Sequence, residues 1–194
     1  LYIRFTGPKK IKLSWKNTYD QLLRKTAFIS GKQKIISKNP VNTGRIQVLL
    51  EMYPDAKFIF IYRNPDSVFR STKKFYQILF EILSFQNYDL KKQEQLILDL
   101  YKNIMKDYLA QRENIPKGQL AEVRFEEFIN DPLNTIKDIY EQLSLGQYEN
   151  VKPYFKDHLS DIEKKGTNNQ HSIAVNESKI IRKEWAFAFK EWSY

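Results

Sequence analysis

Lys57-Phe58-Ile59-Phe60-Ile61-Tyr62 is an almost unbroken apolar run, and Arg63-Asn64-Pro65 ends it at once. A short run without alternation, bounded by a turn signal, reads as a strand with both faces covered, the setting of a central strand in a parallel sheet. Pro65 stands where a first-turn proline is tolerated, and Val68, Ser71, Thr72, Phe75 and Tyr76 then follow on a helical segment. Strand, tight turn, helix is the local unit, and it commits the chain to a parallel α/β architecture.

The flanking segments fit that architecture. Trp15, Tyr19, Leu22, Leu23 and Thr26 predict an amphipathic helix from about 15 to 29, closed near Gly31, and Lys34-Ile35-Ile36-Ser37 reads as a basic strand. After the turn Lys38 to Gly44, Ile46, Leu49, Leu50 and Tyr53 define a short helix that Pro54-Asp55 stops. A long helix is expected from about Lys91 to Arg112, with Ile97, Leu100, Tyr101, Ile104, Met105 and Tyr108 inward, and Leu120 to Phe125 is a third strand. Asp131-Pro132 supplies an N-cap and a first-turn proline for a helix burying Leu133, Ile136, Tyr140 and Leu143. Helices over about Val151 to Glu163 and Asn176 to Phe189 follow, separated by the polar loop 164–171. The expected fold is one domain, residues 1–194, with a three-layer parallel sheet and helices on both faces.

Composition removes several function classes. The chain has no Cys and two His, His158 and His171, so neither a disulfide framework nor a Cys/His zinc cluster can be built. His158 reads as a structural helix residue. No apolar stretch approaches the roughly 20 residues that span a bilayer. There is no G-x-x-x-x-G-K-[ST] phosphate loop. The net charge of +9 suits an anionic ligand.

Parallel sheets bind ligands beyond the carboxyl ends of their strands, where the turns 38–44 and 63–67 are expected. Arg63 at a strand end and Ser71 in the second turn of the next helix can converge on one phosphate, with paired guanidinium donors, a hydroxyl and the helix N-terminus. Spacing alone favours the plainer reading, a solvated turn arginine and a surface hydroxyl. Lys38 offers an ammonium suited to charge developing on a transferred group, or is a solvated strand-end lysine. Asn42 is a ligand contact or a turn former. Glu126-Glu127 is no acid/base dyad, because adjacent side chains diverge, and the pair reads as structural.

Taken together, Lys38-Asn39-Pro40-Val41-Asn42-Thr43-Gly44-Arg45-Ile46, Pro54-Asp55-Ala56-Lys57-Phe58-Ile59, Arg63-Asn64-Pro65-Asp66-Ser67-Val68 with Ser71-Thr72, and Val123-Arg124-Phe125-Glu126-Glu127-Phe128 with Asp131-Pro132 and Ile139-Tyr140 resemble the sulfotransferase family in sequence and order. Glu184 to Phe189 is similar to its C-terminal helix, and the resemblance covers most of residues 15–194. It implies a P-loop-like, nucleotide-kinase-related fold. The implied activity is sulfuryl transfer from 3′-phosphoadenylyl sulfate to a hydroxyl or amine of a small-molecule, glycan or lipid-linked acceptor, without a metal.

By position, the resemblance assigns Arg63 and Ser71 to the cofactor's 3′-phosphate and Lys38 to the sulfuryl group. Phe125 takes the place of a tyrosine near the adenine, and the loop containing Asn169 is similar to one that closes over the nucleotide. Many members carry His where Asn42 stands; a neutral amide cannot accept the proton, so Asn42 is a positioning group in the catalytic set and the base is unassigned. Residues 1–14 hold nothing similar to the family's first strand and 5′-phosphosulfate loop, so the chain is expected to be the C-terminal portion of such a domain. Without an upstream anchor the expected compartment is the cytoplasm. Two other readings stay open: a catalytically silent adenosine 3′,5′-bisphosphate-binding module, and a basic nucleic-acid binder suggested by segments such as Lys73-Lys74-Phe75-Tyr76, which the spread of the charges along the chain disfavours.

Overall fold

The computed structural model describes residues 5, 8–32, 34–84, 89–165 and 175–194. They fall into two compact units, Leu1–Ala56 with Ile104–Ile115, and Lys57–Asn103 with Pro116–Tyr194.

In the first unit, Pro8 at φ −54° precedes helix α1, Lys9–Ser30, and Gly31 ends it at φ +63°, a left-handed C-cap that favours glycine. The helix starts six residues earlier than the aromatic periodicity predicts. Lys12 lies 2.9 Å and Lys16 3.3 Å from the Glu51 carboxylate, so charge pairing helps to hold a start that the aromatic spacing does not mark. The expected strand Lys34–Ser37 does not form: 34–39 carry no regular structure and Ile36 is 94% exposed. A strand exists only by pairing, and no described strand pairs with this segment. A 3-10 turn, Pro40–Gly44, leads into α2, Ile46–Met52. Ile46, Val48 and Leu49 are buried, as are Ile104 and Tyr108 from the part of α4, Leu90–Gln111, that belongs to this unit. The Gln111 side chain accepts from Gln47 N–H and donates to the Gly44 carbonyl.

The second unit is built on β1, Phe58–Tyr62, and β2, Leu120–Arg124, paired in parallel with Phe58 opposite Leu120 and Tyr62 opposite Arg124. The crossover contains α3, Pro65–Leu83, and α4. The fold is therefore α/β with a parallel sheet and mostly helical, and the described sheet has two strands rather than three. Gly118 at φ +81° makes the turn into β2, with Gln119 N–H bonded to the Pro116 carbonyl.

Helix α5, Phe125–Asn130, follows β2 directly, and Asp131 caps α6, Pro132–Gln142, by accepting from Asn134 N–H. On one sheet face Ala121 and Val123 form a core with Ile139 and Leu143 of α6. On the other, Phe60 and Tyr62 pack against Trp192. The expectation that β1 is covered on both faces needs correction: Ile59 and Ile61 are 49% and 53% exposed, because the core on their face gathers around β2.

Helix α7, Tyr148–Lys165, carries an exposed His158. The single helix expected over Asn176 to Phe189 is two, α8, Val175–Glu184, and α9, Ala186–Glu191. The break is at Trp185, which is fully buried, stacks on Tyr101 at 3.9 Å and donates its indole N–H to the Leu98 carbonyl. Anchoring that indole turns the backbone, and the next bond is the tight Ala188 N–H to Trp185 carbonyl.

Candidate functional site

The turn after β1 is built by local chemistry. Asn64 accepts from Ser67 N–H as N-cap and Pro65 occupies the first helical turn, so α3 begins two residues beyond Arg63 with its N-terminus at the strand's carboxyl end. Arg63, Ser67, Arg70, Ser71 and Lys74 line one open cavity of about 280 Å³, with Phe75 and Ile78 further along the helix. The sequence pair Arg63 and Ser71 is thus brought together. The Arg63 guanidinium lies 4.4 Å over the Phe125 ring, which orients it and links the cavity to the start of α5. Three cations and two hydroxyls beside a helix N-terminus have the chemistry to hold an anion.

Two carboxylates hold this frame. Glu126 accepts from Asn64 N–H through one oxygen and from the Tyr194 hydroxyl through the other. Burial pulls its carboxyl upward, but the bonds from Tyr194 and Asn64 outweigh that and hold it below the ordinary carboxylate value. Tyr194 is in turn pushed up to about 12 by burial and by Glu126. Asp66, buried in the first turn of α3, accepts from Ser178 and pairs with Arg182 at 3.5 Å, tying α8 to α3.

Lys38 and Asn42 belong to the first unit. Lys38 is exposed in the irregular segment before the 3-10 turn, whose cap is Asn39 accepting from Val41 N–H. The Asn42 amide donates to the Tyr19 hydroxyl, which also bonds Ser37, and its buried carbonyl oxygen has no partner among the described residues.

The family model described as the Sulfotransferase family matches residues 6–150. The chain belongs to the sulfotransferase family. It is 28% identical over 188 residues to omega-hydroxy-beta-dihydromenaquinone-9 sulfotransferase Stf3 of Mycobacterium bovis and of Mycobacterium tuberculosis, a match covering 97% of this chain and 48% of each relative. The chain thus spans about half the length of the curated relatives it matches. The crystal structure of sulfotransferase STF9 from Mycobacterium avium superposes with a TM-score of 0.63 over 79% of this chain and 40% of that one, at 18% identity, a likeness of fold.

Beside Arg63 and Ser71, the cavity in the second unit is lined by Ser67, Arg70 and Lys74, which the sequence reading did not name. The missed signal is helical spacing, since 67, 70, 71 and 74 share the face that starts at the turn. Asn169 lies outside the described residues. Among the described residues no three His, Cys, Asp or Glu side chains converge on a metal position.

Proposed function

We propose that the protein carrying this chain transfers the sulfuryl group of 3′-phosphoadenylyl sulfate to the hydroxyl of an apolar, lipid-like acceptor. The observation that carries the donor is the cationic cavity at the N-terminus of α3, where Arg63 and Ser71 would hold the 3′-phosphate and Phe125 backs the guanidinium. Lys38, in the family's K-x-P turn, is the proposed stabiliser of the transferred group, and Asn42 positions the acceptor. In-line transfer of this kind relies on positioning and fixed positive donors. The acceptor class rests on the curated relatives, whose name specifies a hydroxylated menaquinone lipid.

The test is thermal stability with adenosine 3′,5′-bisphosphate against 5′-AMP. At about 100 times the dissociation constant the bisphosphate should stabilise by roughly 2.7 kcal/mol, about 5–10 °C for this size. Arg63→Ala should abolish the difference between the two ligands; equal shifts for both would remove the 3′-phosphate assignment. A second reading, a silent bisphosphate-binding module, is favoured by the neutral Asn42 amide and predicts binding without transfer. Radiolabelled sulfate appearing on a hydroxylated polyprenyl acceptor excludes it, and Lys38→Ala should then lower turnover far more than cofactor affinity.

A further inference from the structure

We infer that α3 presents an interfacial surface that docks the protein on an anionic lipid bilayer. At about 100° per residue, Ser67, Ser71, Lys74, Phe75, Ile78 and Ile82 fall on a single face about 100° wide. That face points outward: Phe75, Ile78 and Ile82 are 59%, 50% and 74% exposed, while α3 already buries Pro65, Asp66 and Phe69 on the opposite side. The helix therefore has one apolar face packed and a second one in solvent.

The outward face is graded along its length. Arg70 and Lys74 stand in the cavity at its N-terminal end, and from Lys74 to Ile82 the apolar stripe runs about 12 Å at 1.5 Å per residue. Among the described residues Arg70 donates to the Asp66 carbonyl and the Ser67 hydroxyl, two of its five N–H donors. Cations followed by an aliphatic row match an amphiphile, and Arg70 and Lys74 at the head of the row complement a negative lipid surface. Glu81, on the flank, is the acidic residue nearest the far end of the stripe. Among the described residues no helix is long and apolar enough to cross a membrane, and the proposed attachment is through the side of α3. The face shares the donor cavity, whose lining includes every residue of the row except Ile82, so Ile82 is the residue that separates bilayer docking from donor binding.

Sedimentation with vesicles of phosphatidylcholine alone, and of phosphatidylcholine mixed with phosphatidylglycerol, tests it. The chain should sediment with the mixed vesicles only, less as salt rises, and Ile82→Glu and Lys74→Glu should each weaken partitioning on the order of tenfold. Ile82 lies outside the cavity, so Ile82→Glu should keep the thermal shift with adenosine 3′,5′-bisphosphate. Inorganic phosphate at constant ionic strength should leave vesicle binding intact; release by it would show that the face reads free phosphate and overturn the proposal. Wild-type protein remaining in the supernatant, binding undiminished in Ile82→Glu, or a dimer on size exclusion that Ile82→Glu converts to monomer would each overturn it as well, the last by assigning the face to a second copy of the chain.

Discussion

Glu126 shows how one side chain shapes a turn that it does not itself enter. Its two oxygens join the backbone just after Arg63 to the C-terminal Tyr194, so it is a positioning residue for the guanidinium. The folded-state carboxyl titrates below the ordinary 4.5, so its stabilisation is fully present above that value and is lost as pH falls through the folded one. Glu126→Gln should therefore flatten the acid limb of stability, read as the denaturant midpoint from neutral pH down through the carboxylate range; an unchanged acid limb would remove the assignment. Adjacent glutamates were legible in the sequence as a structural pair, but nothing in Glu126-Glu127 indicates a bond to a backbone amide 62 residues away. Asp131 was legible in full, because a cap acts within three residues. Asp131→Ala should cost about 1 kcal/mol and lower the midpoint accordingly.

At the scale of elements, polar contacts tie α8 to α3, and α8 also carries the fully buried Ile181. Asp66 takes Ser178 and Arg182, and Lys73 bridges Glu94 of α4 and Glu177 of α8. Asp66→Ala leaves Ser178 and Arg182 without their acceptor and should cost about 1–3 kcal/mol. Hydrogen exchange should quicken in α8 while β1 amides stay protected, and equal acceleration in both would show global destabilisation instead. The elements the sequence misjudged have one cause in common. Lys34–Ser37 has strand composition but no partner, and 176–189 has one helical period but a bend set by the Trp185 pocket; neighbours decided both, and periodicity does not register neighbours.

For the whole molecule, the division into two compact units places Lys38 and Asn42 in one and Arg63, Ser71 and Phe125 in the other. Trp185 is the keystone of the second unit, packed on Tyr101 and edge-on to Phe69. Trp185→Ala should cost about 3–5 kcal/mol, lowering the melting temperature on the order of 10 °C. Differential scanning calorimetry checks this, and a drop within about 2 °C, the equivalent of less than 1 kcal/mol, would contradict it. The sequence by itself determined the strand–turn–helix unit, the Asn64 and Asp131 helix caps and the α/β class, because prolines, caps and hydrophobic periods act over a few residues along the chain. Only the tertiary structure decided which strand found a partner, which apolar faces stayed in solvent, and which distant groups met, as Asp66 met Ser178 across 112 residues and Trp185 met Leu98 across 87. Those outcomes depend on closing long loops and burying surface jointly, and the free energy of that closure belongs to no single segment.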